Sequence, residues 1–247
     1  MSDSKPKATD GFSAHAVPKA VVSRLSLYLR ELQHLEREGF ATTSSTRLGR
    51  VLGLTDAQVR KDLAYFGQFG YPGIGYRCSE LIAAIKRILG TDRDWPICLV
   101  GAGNLGRALL GYRGFGEQGF RVVAAFDIDP AKTGAAIDSI PVFGLEELPA
   151  IVAQKGIQLG IVAVPGPSAQ AVADKLVEAG VVGILNFAPV TLNLPPHVQK
   201  VGVDLAIELE QLAFTVANRS NTTAPGLDEA PLDAPLDAPA LDETADG

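Results

Sequence analysis

The sequence predicts an α/β protein: an N-terminal winged helix-turn-helix domain, a doubly wound parallel-sheet domain of the Rossmann type, and a C-terminal helix. Three observations carry that prediction. Trp95 to Gly106, WPICLVGAGNLG, joins a short apolar run to a glycine-rich turn and the start of a helix. From there to Asp204, apolar strand-like runs alternate with helical periodicity, the grammar of βαβ units. Before it, two short helical patterns flank the tight turn Gly53-Leu54-Thr55, and the second is basic on its outer side.

Residues 1–17 are polar, rich in Lys, Ser and Asp, and lack periodicity, so a disordered arm is expected. Residues 18–90 form the expected DNA-binding domain. Pro18 suits a first helical turn, and Val21, Val22, Leu25, Leu29, Leu32 and Leu35 recur at helical spacing as far as Glu38, where Gly39 stops the helix. Thr42 to Ser45 supply N-caps for a second helix with Leu48, Val51 and Leu52 on its apolar side. A third helix, Asp56 to Phe66, turns Val59, Leu63 and Phe66 inward and leaves Arg60 and Lys61 outside. A small three-helix bundle with a solvated charge pair fits this spacing equally well.

The segment from Gly67 to Tyr76, GQFGYPGIGY, reads as a β-hairpin wing or as a domain linker. Cys78 to Leu89 is a further amphipathic helix, and Gly90-Thr91-Asp92-Arg93-Asp94 is a polar break taken as the domain boundary.

Residues 91–204 are expected to bind a dinucleotide. Gly101-Ala102-Gly103-Asn104-Leu105-Gly106 fits G-x-G-x-x-G between a strand and a helix. In that setting Gly101 permits the tight turn, Gly103 lets the backbone approach a pyrophosphate, and Gly106 lets helix and strand pack closely. The pyrophosphate would meet the unpaired N–H groups where the helix starts. Val122 to Phe126 is the next strand. It ends in Asp127, about 20 residues past the fingerprint, where a carboxylate binds the adenosine ribose hydroxyls. That charge repels a 2′-phosphate and favours NAD(H) over NADP(H); Lys132, close by, is the one base able to tolerate the phosphate.

Pro141 to Phe143, Leu159 to Val164, Val182 to Phe187 and Val201 to Val203 are the further strands. Helices at Leu145–Gln154 and Ser168–Ala179 lie between them. Ligands bind outside the C-terminal strand ends of such a sheet, which places Gly101, Asp127, Val164-Pro165 and Asn186-Phe187-Ala188-Pro189 at the site. The last of these groups is mostly apolar. With Val164-Pro165, Phe187-Ala188-Pro189 makes an apolar surround that disfavours the positive ring of NAD⁺ relative to the neutral ring of NADH. Leu205 to about Arg219 is the C-terminal helix, and residues 220–247 form a Pro/Ala/Asp repeat expected to be a disordered acidic tail.

The net charge of −6 hides a gradient. Residues 1–90 are net +5, residues 91–219 net −4, and residues 220–247 net −7 without one Lys or Arg. The basic third is where nucleic acid can be met. No apolar run approaches the roughly 18 residues of a membrane span, and the polar N-terminus has no signal core, so a cytoplasmic protein is expected, with no membrane partner. Two cysteines, Cys78 and Cys98, without a CxxC pattern, give neither a metal site nor a disulfide framework.

Together, VRKDLAYFGQFGYPGIGY (Val59 to Tyr76), GAGNLGRALLGYRGF, FDIDP and GILNFAP, in this order and spacing, resemble the Rex family of bacterial redox-sensing transcriptional repressors. The resemblance runs from about Val17 to Asn218. It implies a homodimer that exchanges its C-terminal helix between subunits, binds operator DNA when NADH is low, and is released by NADH. Arg60 and Lys61 match the recognition-helix pair, with Ser44 and Ser45 available for backbone phosphates and Tyr76, at the end of the wing, expected as a further DNA contact. A symmetric dimer then reads an inverted repeat. Gly101, Gly103 and Gly106 match the pyrophosphate loop and Asp127 the ribose acid. Tyr112 matches a tyrosine of the nicotinamide pocket, although an ordinary core aromatic fits its sequence context too. Arg30 and Asp204 match a pair whose contact changes with ligand. Leu205 and Pro72 depart from members that carry phenylalanine and a basic residue there.

Two other classes share part of this pattern. An NAD-dependent dehydrogenase needs a proton donor near the nicotinamide, and no His or Lys sits at a strand end beyond the fingerprint. A regulator sensing another nucleotide-type ligand, such as a CoA thioester, uses the same sheet, and Asp127 argues against it.

Overall fold

A computed structural model describes residues 17–219. The expected arm (but for Val17) and acidic tail lie outside the described residues.

The N-terminal region contains α1 (Lys19–Arg37), β1 (Thr42–Thr43), α2 (Ser45–Leu52), α3 (Asp56–Ala64), β2 (Tyr76–Arg77) and α4 (Cys78–Leu89). Pro18 lies just outside α1, as its N-cap, rather than within its first turn. The Ser44 hydroxyl accepts the Arg47 N–H and Thr55 accepts the Gln58 N–H, so α2 and α3 each start on a side-chain cap. Gly53 ends α2 with φ +67°, the left-handed conformation that suits glycine. Leu25, Tyr28, Leu32, Leu48, Val59 and Ile85 fill the core between these helices. Val22 and Val51, expected inside, are 40% and 55% exposed; the core is complete without them.

The wing is not the hairpin that the sequence suggests. Thr42 and Thr43 pair antiparallel with Arg77 and Tyr76, across more than thirty residues, while Tyr71 and Gly75 make a single bridge within the loop. Gly75 (φ +87°) passes so close to β1 that a Cβ there would lie 2.3 Å from the Thr43 carbonyl oxygen.

From Trp95 the chain builds a seven-stranded sheet. Its elements are β3 (Trp95–Val100), α5 (Asn104–Leu110), α6 (Gly114–Glu117), β4 (Phe120–Asp127), β5 (Ala136–Ile137), β6 (Ile140–Gly144), α7 (Leu148–Lys155), β7 (Leu159–Val162), α8 (Gly166–Glu178), β8 (Gly183–Asn186) and β9 (Gln199–Gly202). A 3₁₀ turn, Leu145–Glu147, opens the segment expected to be one helix with α7. The strand order is β5-β6-β4-β3-β7-β8-β9, and every pair is parallel except β5 with β6. Succession reverses between β3 and β7, the topological switch point where such sheets bind ligands. Buried apolar residues lie on both faces, with Cys98, Val100, Phe126 and Leu176 in one cluster and Leu99, Ala125 and Ile161 in the other. Continuous apolar strands are what a sheet covered on both faces requires.

Residues up to Val203 form one compact unit, and those from Asp204 a second. The second contains α9 (Leu205–Arg219). Leu205, Leu209, Leu212, Phe214 and Val216 are 58–71% exposed. Among the described residues no helix is long and apolar enough to cross a membrane.

Candidate functional site

Five neighbouring strands, β4, β3, β7, β8 and β9, end along one rim, and backbone hydrogen bonds carry the chain across it. The Gly101 N–H donates to Phe126, Ala163 to Val100, Phe187 to Val162, and Val203 to Asn186, all at 2.8–2.9 Å. The loops after β3, β4, β7 and β8 are thereby held side by side at the switch point.

Two of the fingerprint glycines, Gly101 and Gly106, have a steric reason, and Gly103 lies in open space. Gly101 has φ +103°, and a Cβ there would lie 2.4 Å from the Ala163 carbonyl oxygen. At Gly106 it would lie 1.8 Å from the Gly101 carbonyl oxygen, so α5 can approach β3 only without a side chain. A Cβ at Gly103 would meet nothing within 4 Å beyond its chain neighbours. Gly103, Asn104 and Leu105 are exposed while Ala102 is buried. The open space lies on the residue whose backbone must approach a pyrophosphate.

Asp127 ends β4 and is 7% exposed. Its Oδ2 accepts the Ala102 N–H at 2.8 Å and the Lys132 ammonium at 3.2 Å, and its Oδ1 accepts the Asp129 N–H at 2.9 Å. Burial opposes ionisation, but the two backbone N–H groups and Lys132 outweigh it and hold the carboxyl below its ordinary range. The carboxylate therefore locks the glycine loop onto β4, with capacity left on Oδ1 for a further donor.

The apolar surround is present but is built differently from expectation. Val164 is half-buried, Pro165 is the exposed N-cap of α8, and Phe187 and Ala188 lie at the rim with Pro189 exposed. Asn186, expected beside the ligand, braces its own loop. It is 4% exposed, its amide donates to the carbonyls of Ala188 (3.1 Å) and Val190 (2.8 Å), and its Oδ1 accepts the Ala188 N–H (3.0 Å). Those bonds shape the Phe187–Pro189 turn.

In the N-terminal region α3 carries Arg60 and Lys61 on its exposed side. Arg60 donates to Ser45 Oγ (3.1 Å) and Asp56 Oδ2 (2.7 Å), which fixes its guanidinium against α2. Lys61 is in no ion pair among the described residues. Tyr76, expected as a DNA contact, is buried in the N-terminal core. It is 8% exposed and its ring lies beneath the wing, beside Gly70.

Sequence reasoning missed what holds α3 in place. Asp62 is completely buried, and it accepts from Arg24 Nε (2.5 Å) and Nη2 (2.8 Å), Tyr28 Oη (2.7 Å) and Gln58 Nε2 (2.7 Å). Burial raises its pKa, yet these four donors win and hold it below the ordinary carboxylate range. The signal was an acid set on the apolar stripe of α3, between Val59 and Phe66.

The comparisons agree with this geometry. The chain is 48% identical, over 82% of its length and 97% of the relative's, to a redox-sensing transcriptional repressor Rex of Desulfitobacterium hafniense. It belongs to the Rex family. A Rex of Streptomyces coelicolor is 44% identical over 88% of this chain and 84% of its own length. Among solved structures, the Rex-family repressor RSP in complex with β-NAD⁺ and operator DNA matches with TM-score 0.78 and 36% identity, over 83% of this chain and 94% of that one. RSP with β-NADH matches with TM-score 0.75 and 34% identity, over 84% of this chain and 97% of that one. Family models described as a putative DNA-binding protein N-terminus and a CoA binding domain match residues 16–64 and 92–190. These Rex relatives are named as repressors, not as enzymes.

The structure also places three further residues expected at the site, Tyr112, Arg30 and Asp204. Tyr112 is 58% exposed; its ring meets Phe115 edge to face at 5.0 Å and lies over Gly114, where a Cβ would come within 2.5 Å of the hydroxyl. Arg30 is exposed on α1. Asp204 accepts the Ala206 N–H at 2.9 Å at the start of α9. One bond joining the two regions had no sequence signal: Gln118, after α6, donates to Gln33 of α1 at 3.0 Å.

Proposed function

We propose that this Rex-family chain is a homodimeric, cytoplasmic repressor that binds an inverted-repeat operator when NADH is scarce and releases it when NADH binds. The observation that carries the reading is a glycine cradle and a buried ribose carboxylate in the same chain as an exposed basic reading helix. In the proposed division, residues 18–90 read DNA, 91–204 bind NAD⁺ or NADH, and 205–219 form the dimerisation helix. The exposed apolar side chains of α9 fit a helix that finds its burial on a second copy.

Arg60 and Lys61 are assigned to the major groove and Ser44 and Ser45 to backbone phosphates. On the other rim, Gly101 to Gly106 hold the pyrophosphate and Asp127 the ribose. Val164, Pro165, Tyr112 and Phe187 to Pro189 surround the nicotinamide. An apolar surround disfavours an unpaired positive ring, so the neutral NADH ring is preferred without any chemical step. NADH acts by binding one dimer arrangement better than another. Arg30 and Asp204 are assigned to a contact made in one arrangement and broken in the other.

A CoA-type ligand is the second reading, favoured by the CoA binding description of residues 92–190. The ionised Asp127 at the rim opposes it, because CoA carries a 3′-phosphate on its ribose. Titration with NADH, NADPH and acetyl-CoA separates the readings. NADH alone should bind tightly, and operator affinity should fall as the NADH/NAD⁺ ratio rises. Operator binding that ignores the ratio would overturn the proposal.

The switch has its own test. Arg30→Ala and Asp204→Ala should each keep NADH binding and blunt its effect on DNA by about 5- to 100-fold, within ordinary coupling energies. The double variant should be no worse than either single one. An unchanged ratio in all variants would remove the pair from the switch.

A further inference from the structure

The Asp127 carboxylate shares its charge with a neighbour. Lys132 Nζ lies 3.2 Å from Asp127 Oδ2 and 3.6 Å from Asp129 Oδ2, so its ammonium sits between two acids. The turn that carries it is held by other bonds. Lys132 N–H donates to the Asp129 carbonyl (3.0 Å), Ala131 N–H to Asp129 Oδ1 (3.0 Å), and Thr133 Oγ1 to the Pro130 carbonyl (3.3 Å). The Lys132 side chain is 38% exposed, and the fold does not require its ammonium for packing. Asp127, Asp129 and Lys132 together leave a net charge of about −1 at the end of β4, next to the loop with the open Gly103.

We infer that Lys132 is a specificity-determining residue, and that cofactor selection belongs to the Asp127–Lys132 pair rather than to Asp127 alone. While Asp127 holds the ammonium, the strand end repels a 2′-phosphate and accepts an uncharged ribose. Without the Asp127 charge, the ammonium keeps only its longer pairing with Asp129, at 3.6 Å, and its flexible four-carbon stem lets it turn to a 2′-phosphate. Loss of Asp127 then creates NADPH binding actively, beyond removing a repulsion. The inference rests on the dinucleotide reading of this rim.

The test is to titrate NADH and NADPH against full-length parent, Asp127→Asn, Lys132→Met and the double variant, following cofactor fluorescence at two salt concentrations. Asp127→Asn keeps the shape and should gain NADPH affinity about 10- to 100-fold, in the range of one charge-assisted phosphate contact. The double variant should lose most of that gain, and the gain should shrink at high salt. Lys132→Met alone should widen the NADH/NADPH ratio severalfold, which keeps the inference testable if Asp127→Asn does not fold. A double variant that binds NADPH as well as Asp127→Asn does, or a ratio unmoved by Lys132→Met, would overturn it. A parent that binds neither cofactor would instead defeat the dinucleotide reading.

Discussion

Asp62 and Asp127 are both buried, both ionised below the usual carboxylate range, and used in opposite ways. Asp62 spends its oxygens on four side-chain donors from α1 and α3 and has no exposed surface. Asp127 takes two backbone N–H groups and one partly exposed ammonium, and stays at a rim beside open space. Side-chain donors fix one helix against another, whereas backbone donors shape a loop and leave the carboxylate facing its surroundings. A buried charge marks a ligand site only when its partners leave it something to bind.

The largest effect that sharpens this contrast is on DNA. Arg60→Ala with Lys61→Ala should weaken operator binding by about 2–6 kcal/mol, from one to three per lost contact, and leave NADH affinity unchanged. Operator titrations of the double variant would show it; full retained affinity would move the reader elsewhere.

Next is Asp62→Asn. It leaves Arg24 without its counter-charge and should cost about 3 kcal/mol of N-terminal stability, at the low end for a buried pair because Arg24 is 24% exposed. Denaturant unfolding should lose its N-terminal transition midpoint, and NADH affinity should be kept. An equal loss at both sites would mean that the two carboxylates are not separate devices.

Acid should act on both in the same direction. A carboxylate whose folded pKa is lowered stabilises fully above its unfolded value, and that stability drains as pH falls through the folded one. Both carboxyls lie below their ordinary 3.8, so thermal stability should be flat above about pH 5 and should decline below about pH 4. In Asp62→Asn the decline should be shallower.

The smallest effect concerns the tail. Removing residues 220–247 takes away a charge of −7. Folding and the NADH response should survive, with DNA affinity unchanged or raised by less than about tenfold through lost repulsion. Loss of the dimer on size-exclusion chromatography would overturn that reading.

How far the sequence could be read followed the range of each interaction. The strand–glycine–helix unit, the alternation of strands and helices and the Ser44 cap depend on neighbours within a few residues, and each is legible. The pairing of Thr42–Thr43 with Tyr76–Arg77 closes a loop of more than thirty residues and leaves no local mark. Tyr76 looked like part of a surface wing because burial of its ring depends on that pairing. Asn186 looked like a ligand contact because strand ends bind ligands, yet its three bonds all return to its own loop. The Gln118–Gln33 bond joins residues 85 apart and could be found only in three dimensions.

One feature of the core bears on time rather than on affinity. Cys78 and Cys98 are both buried, and burial raises both thiols, Cys98 to about 12. A protonated, inaccessible thiol is a poor nucleophile and is slow to oxidise. These two thiols are therefore poor places for an oxidant to write a covalent mark that a reductase would have to erase. A redox signal read through bound nucleotide alone carries no memory: it follows the present ratio and resets as fast as the ligand leaves.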